Sequence, residues 1–364
     1  MTATTQETQG TPGSHDATRA ADARTERPAR ARGARIFSGI KPTGHLTLGN
    51  YLGAMRRWVV TDQHRAESLF CVVDLHALTV EHDPARVRRL SRQTAGLLLA
   101  AGLDPAVCTV FAQSHVDEHT RLMFLLECVA ADGEMRRMIQ YKEKSVRARD
   151  SGQSVRLSLL TYPALMAADI LVYGATEVPV GEDQRQHVEL TRDLAVRFNQ
   201  RYGHTFVVPK ATVPEVAARV MDLQDPSVKM GKSHAATSGI VYLLDEPAVV
   251  AKKVRRAVTD SEPGVSYDRE ERPGVANLLE ILSSCTGEEP AVLAERYDGI
   301  GSLKADTADA VVELLRPLQA RHAEISADPS YVDGVLREGA ERARALGRPT
   351  VDAAYEAIGL LRPV

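Results

Sequence analysis

The chain has 364 residues, of which 44% are hydrophobic and 26% charged, and a formal net charge of −3. That is enough for a full core and two domains, with the composition of an ordinary soluble protein. The balance excludes a whole-molecule polycation, although a local basic stripe can still meet nucleic acid, and no run is apolar enough to cross a bilayer.

Residues 1–34 contain no aromatic residue and almost no large aliphatic one, so they are expected to be a disordered tail. The tail lacks the apolar middle of a secretory signal, and Glu7, Asp16, Asp22 and Glu26 argue against an organelle transit peptide. Arg27, Arg30, Arg32 and Arg35 leave a regulatory or RNA-touching arm as the alternative. Cys71, Cys108, Cys128 and Cys285 form no CxxC pair, and all but Cys285 sit in apolar runs. Buried free thiols and no metal site are expected.

Ordered structure is predicted to begin with a short strand at Arg35-Ile36-Phe37-Ser38. The run Ser38 to Asn50 then turns sharply into a helix over about 49–60. Its small residues let backbone amides approach an anion at the helix N-terminus. Leu69 to Val73 reads as a buried strand, 84–101 as an amphipathic helix with Pro84 near N1, and Thr109 to Ala112 as another strand. This alternation predicts an α/β protein with a doubly wound, Rossmann-like parallel sheet and ligands at the C-terminal strand ends.

Gly133 to Ser145 is a basic amphipathic stretch, read as a solvated face unless Lys144 stands at the mouth of a nucleotide site. Next comes Thr161-Tyr162-Pro163 to Tyr173, where Pro163 suits N1 of a helix. Tyr162, Met166, Asp169 and Tyr173 would share one helix face. Asp169 is a lone carboxylate in an apolar run, and burying it without a donor would cost several kcal/mol. It serves either a helix-to-core hydrogen bond or a ligand deep in an apolar pocket. Glu177 to Gln184 reads as a strand ending in a Gly-acid-acid-amide turn, with a helix from His187. The turn suits a ribose and a zwitterion, or simply caps the helix. His45 and His76 are single histidines, and no acid–base role is assigned to either.

From about residue 222 helical segments follow one another (246–258, 274–285, 289–297, 303–324, 329–346, 350–361), predicting a smaller all-helical domain. The expected division is 35–221 for the sheet domain and 222–324 for the helical one, with residues from about 325 to 364 packing back on the first. Lys229-Met230-Gly231-Lys232-Ser233 sets two lysines three residues apart, as mobile charges for a polyphosphate. Two distant half-sites do not fit the single-loop ATPase pattern and suggest nucleotide chemistry completed by loop closure.

These motifs carry a family resemblance. The chain resembles the bacterial tryptophanyl-tRNA synthetases, class I aminoacyl-tRNA synthetases, over nearly all of 35–364. Pro42 to Asn50 matches the first class I signature in its Thr-x-Gly-Asn form, and Lys229 to Ser233 matches the KMSKS loop. Tyr162 to Leu171, Val178 to Gln184 and Gln140 to Ser145 are more specific, separating this family from its tyrosyl relatives. Ala257 to Ser261 and Pro273 to Leu279 agree.

The resemblance implies activation of tryptophan by ATP and transfer to tRNA(Trp), by a cytoplasmic homodimer with neither DNA nor membrane as partner. Asp169 would accept the indole N–H, with Phe37, His76, Met166, Val178 and Val180 around the ring. Tyr162 and Gln184 would hold the ammonium and carboxylate. The nucleotide would meet Lys41, Pro42, Thr43, Gly49 and Asn50, the turn Gly181-Glu182-Asp183, Val220, and Met230, Gly231 and Ser233. Lys144, Lys229, Lys232 and Asn50 would act in the displacement, and Mg2+ would ride on the pyrophosphate without protein ligands.

Three positions depart from the family pattern. Lys41 stands where glutamine is usual, Gly231 where serine is usual, and His234 where aspartate is common. A cation at Lys41 is expected to alter binding of tryptophan analogues, giving tolerance of a tryptophan-mimicking antibiotic. The alternatives are a tyrosyl-type synthetase and a non-charging regulatory paralogue that binds tryptophan.

Overall fold

Five short parallel strands lie side by side in the order β3-β2-β1-β4-β5: Arg35–Ile40, Glu67–Val72, Thr109–Ala112, Glu177–Pro179 and Lys210–Thr212 for β1 to β5. This computed structural model describes residues 33–212, 220–231 and 237–361. Most of the predicted tail, and Lys232, Ser233 and His234, therefore lie outside the described residues. The sheet registers Phe37 with Leu69 and Ile36 with Glu177. Strand order reverses between β1 and β4, so the crevice for ligands opens at the C-terminal ends of those two strands.

Strands buried on both faces must be apolar at successive positions, and these are. Ile40, Phe70, Val72 and Val110 face one core, while Phe37, Leu69, Cys71 and Phe111 face the other. On the first face lie α1 (Leu48–Asn50), α2 (Gln63–Arg65) and α3 (Pro84–Ala101). Between α1 and α2 the chain stays helical but winds wider at Tyr51–Met55 and Trp58–Asp62, so this helix outruns its expected end. Asp83 caps α3 by accepting from Ala85 N at 3.0 Å, and Gly102 ends it in the left-handed region at φ 114°.

The second face carries α4 (Glu118–Glu127) and α7 (Leu157–Leu171), with α5 (Asp132–Arg137) and α6 (Ile139–Asp150) leading from one to the other. Pro163 lies inside α7 and not at its start: six further residues wind helically before it and bury Leu159 and Tyr162. α8 (Arg185–Tyr202) follows β4.

After β5 the described chain is helical: α9 (Pro247–Arg255), α10 (Pro273–Thr286), α11 (Pro290–Ala294), α12 (Ile300–Ala327) and α13 (Pro329–Ile358). The two last segments expected from the sequence are one helix. Pro349 sits within α13, whose Val351 and Ala354 are buried in the same core as Ala340 and Ala343. α13 runs along β3 and α4, and α12 packs on α3, α9 and α10. Leu278, Val311 and Leu315 of the helical region share a continuous core with Phe70 and Leu98.

The four cysteines are free thiols, but the expectation that they are buried holds only for Cys71 and Cys108; Cys285 is half-buried and Cys128, just past α4, is exposed.

Phe70 is fully buried, and its ring lies 5.4 Å from Trp58, the sole tryptophan of the chain. Phe70→Ala is expected to cost about 3–5 kcal/mol of stability through the cavity it leaves. Trp58 fluorescence in a urea titration should report the lowered midpoint.

Candidate active site

The turn after β1 is held from two sides. Thr47 caps α1, its hydroxyl accepting from Asn50 N at 3.2 Å while Asn50 Oδ1 accepts from Thr47 N at 3.1 Å. Leu48 N donates to Val241 O and Leu243 N to Leu46 O, tying the turn to the chain beyond residue 236. Pro42 is buried and Thr43 exposed at the rim. At Gly49 any Cβ would lie 3.1 Å from Met230 O, so glycine lets the helix N-terminus touch the backbone of the lysine loop. That loop is fixed at its base by the bridge between Met221 and Lys229, by Met230 N donating to Val220 O, and by Asn277, whose amide pairs with both sides of Met221. The two distant segments are thus adjacent through backbone contact. The Val220 side chain is buried in the core, and Gly231 follows half-buried.

Across the crevice the turn after β4 closes with Gln184 N donating to Gly181 O, and Gln184 Nε2 reaches Asp183 Oδ2 at 2.7 Å. A Cβ at Gly181 would lie 3.9 Å from Lys229 Nζ, so the lysine loop faces this turn as well. Lys144 lies between, donating to Gln140 Oε1 at 2.8 Å and standing 5.4 Å above the Tyr162 ring. Lys41 donates to Thr79 Oγ1 at 3.4 Å. Burial, and then the charge of Lys144, lower the Lys41 pKa to about 8. Burial also lowers that of Lys144, against the opposing pull of Glu143 and Asp183. Two partly dehydrated cations repelling one another form a site that an anion relieves.

Behind them is a buried polar cluster built on Asp169, which is 1% exposed. Its Oδ1 accepts from Gln113 Nε2 at 2.7 Å and His119 Nδ1 at 2.6 Å, and its Oδ2 from His76 Nε2 at 2.9 Å. The donor that its burial demands is therefore supplied three times over within the protein. Burial alone would push this carboxyl up; His119 and His76 outweigh it and hold the group well below the usual carboxylate range. Tyr162 meets His76 edge-on at 6.1 Å, and its hydroxyl pairs with His187 Nε2 at 2.6 Å. Burial, reinforced by Lys144 and His76, lowers His187 to about 4, so its ring is neutral near pH 7.

Phe37 stacks on Tyr173 at 5.8 Å and lies next to buried Val178, with Met166 and Val180 half-buried nearby in the same core. His45 is apart from this group, exposed and paired with Gln93. Thr79, Gln113, His119, Gln140 and His187 were missed from sequence. Two signals existed: Gln113 directly follows β3 at the ligand-bearing edge, and His119 shares an apolar helix face with Leu122 and Leu126.

The family model for tRNA synthetases class I (W and Y) matches residues 29–316. The chain belongs to this family. It is 76% identical to tryptophan–tRNA ligase 1 of Streptomyces coelicolor over 91% of this chain and 98% of that one. Among solved structures, a tryptophanyl-tRNA synthetase from Mycoplasma pneumoniae matches with TM-score 0.84 and 35% identity, covering 90% of this chain and 98% of that one. The Campylobacter jejuni enzyme, solved with ADP and tryptophan, matches with TM-score 0.76 and 30% identity over 90% of this chain and all of that one.

The pair of lysines predicts a pH dependence. Because the Lys41 pKa is lowered to about 8, its charge is present below that pH and lost above it. Calorimetric ATP affinity should fall severalfold from about pH 7.5 to about pH 9, and Lys41→Gln should flatten that fall.

Proposed function

We propose that the chain activates L-tryptophan with ATP and transfers the tryptophanyl group to tRNA(Trp). A tryptophan carboxylate oxygen attacks the α-phosphorus, the bond to the bridging oxygen breaks, and pyrophosphate leaves with the electron pair. The adenylate then gives its acyl group to the 3′ end of the tRNA, releasing AMP. The observation that carries this reading is the ionised, buried Asp169 at the apolar end of a crevice whose mouth holds lysines. A carboxylate there suits the single N–H of an otherwise apolar indole. The high identity to a tryptophan–tRNA ligase supports the same choice.

In this reading Phe37, His76, Met166, Val178 and Val180 surround the indole, while Tyr162 and Gln184 orient the ammonium and carboxylate. Gly49, Asn50, Pro42 and Thr43 take the nucleotide from one side, with Gly181, Glu182 and Asp183 meeting its ribose. The adenine rests near Val220. Lys41, Lys144 and Lys229, joined by Lys232 with Met230, Gly231 and Ser233, stabilise charge as it moves to the leaving pyrophosphate. Positioning and electrostatics supply the rate, with no covalent enzyme intermediate. The phosphate end offers cations, which suit phosphate oxygens better than a metal. Mg2+ would accordingly be carried by water and phosphate, neutralising the leaving group. We assign residues 35–221, with 325–364 packed back and the lysine loop at 229–233 reaching in, to catalysis and the rest of 222–324 to the tRNA anticodon, within a cytoplasmic homodimer.

Tryptophan-dependent ATP–pyrophosphate exchange tests the reading. Tryptophan should exceed tyrosine and phenylalanine by at least about tenfold to a hundredfold, because neither brings an indole N–H to Asp169. Exchange with tyrosine would overturn it, and adenylate formation without charging of any tRNA would favour a regulatory paralogue. Lys41 adds a second expectation. Lys41→Gln should become more sensitive than the parent to indole-bearing inhibitors, and equal sensitivity would remove the claim of inhibitor tolerance.

A further inference from the structure

The two oxygens of Asp169 are not equivalent. Oδ1 takes two donors, Gln113 Nε2 and His119 Nδ1, whereas Oδ2 takes only His76. The Oδ1 donors are themselves locked. Gln113 Oε1 accepts from Leu75 N at 3.1 Å, which fixes the direction of its amide. His119 is fully buried, with Phe111 at 6.0 Å and Tyr173 at 5.4 Å between ring centroids. Its Nε2 pairs with the Tyr173 hydroxyl at 2.7 Å. A carboxylate only accepts, so Nδ1 must carry the proton, and in the neutral ring Nε2 then accepts from Tyr173. Tyr173 is likewise fully buried. The Tyr173–His119–Asp169 chain therefore holds one ring orientation. His76, by contrast, stands on the crevice side against Tyr162 and contacts only the other oxygen.

We propose that His119, with its tautomer set by Asp169 and its ring held by Tyr173, is the positioning and specificity residue that pins Asp169 Oδ1 and presents Oδ2 to the substrate ring. The proposal rests on the reading that Asp169 accepts the indole N–H. His119 does not touch the substrate; it acts through the carboxylate. His76 meets the presented oxygen, so both oxygens of Asp169 have a donor within the protein. Without His119 only Gln113 holds Oδ1, and the carboxylate pivots about that one bond, so that Oδ2 meets the ring at a poorer angle.

The experiment compares tryptophan with 3-benzothienylalanine, in which sulfur replaces the indole N–H with little change of shape. ATP–pyrophosphate exchange is measured for the parent, His119→Leu, His119→Asn and Tyr173→Phe. The parent should prefer tryptophan in kcat/KM by about tenfold to a hundredfold, the range of a hydrogen bond to a charged group. His119→Leu should lose most of that preference and raise KM for tryptophan while leaving KM for ATP within about twofold. His119→Asn keeps an N–H near the position of Nδ1 and should restore much of it. Tyr173→Phe removes one hydroxyl and should lower the preference by about threefold to tenfold, which decides the matter if His119→Leu does not fold.

A purely structural role would lower activity on both substrates equally and leave the preference intact, and that result overturns the proposal. If the parent itself uses the two substrates equally, Asp169 does not read the indole N–H and the underlying reading falls with it. A parent that discriminates alongside a His119→Leu that still does so would sink the His119 proposal alone.

Discussion

The need to keep one carboxylate ionised inside an apolar core organises much of this structure. Asp169 sits on α7 among alanines and leucines, where an unpaired charge would drain stability. Its donors come from three other places: the helical turn after β2, the end of β3 and the start of α4. Each of those elements is therefore constrained in position relative to α7. The same constraint sets the chemistry of the apolar end of the crevice, because a carboxylate already surrounded by N–H donors welcomes one more and discriminates against rings that bring none.

The mouth of the crevice obeys the opposite logic. Lys41 and Lys144 lose hydration on burial, and both are less willing to hold a proton. Such an arrangement is costly when empty and is compensated by an anionic ligand. The adjacent contact of Gly49 with Met230 shows how the lysine loop is kept near, through backbone packing that a side chain could enter only by shifting Met230 O. A buried carboxylate at one end and partly dehydrated cations at the other give the crevice its polarity. A molecule with an indole at one end and phosphates at the other matches it.

The parts of this arrangement that the sequence made legible are those coded locally. Strand and helix alternation, the glycine turn after β1 and the paired lysines of the loop each follow from neighbouring residues. Local rules also misled. Pro163 reads as a helix start, yet burial of Leu159 and Tyr162 draws the helix back to Leu157. Gly347-Arg348-Pro349 reads as a break, yet Val351 and Ala354 are buried so completely that α13 continues through it. The contacts of Asp169 with Gln113 and His119 were not legible, because they depend on how α4 and β3 meet α7. The place of Gln113 after β3 and the apolar face around His119 mark each residue singly, but not its pairing with Asp169.

The central claim is that Asp169 accepts a hydrogen bond from the indole of bound tryptophan. The direct measurement is the indole N–H resonance of ring-15N-labelled tryptophan bound to the protein, followed for chemical shift and exchange with water. The account predicts a resonance moved downfield from free tryptophan and protected from exchange, with both effects lost in Asp169→Ala under saturating ligand. An indole resonance that stays at its free position and exchanges readily, or one unchanged by Asp169→Ala, would contradict it.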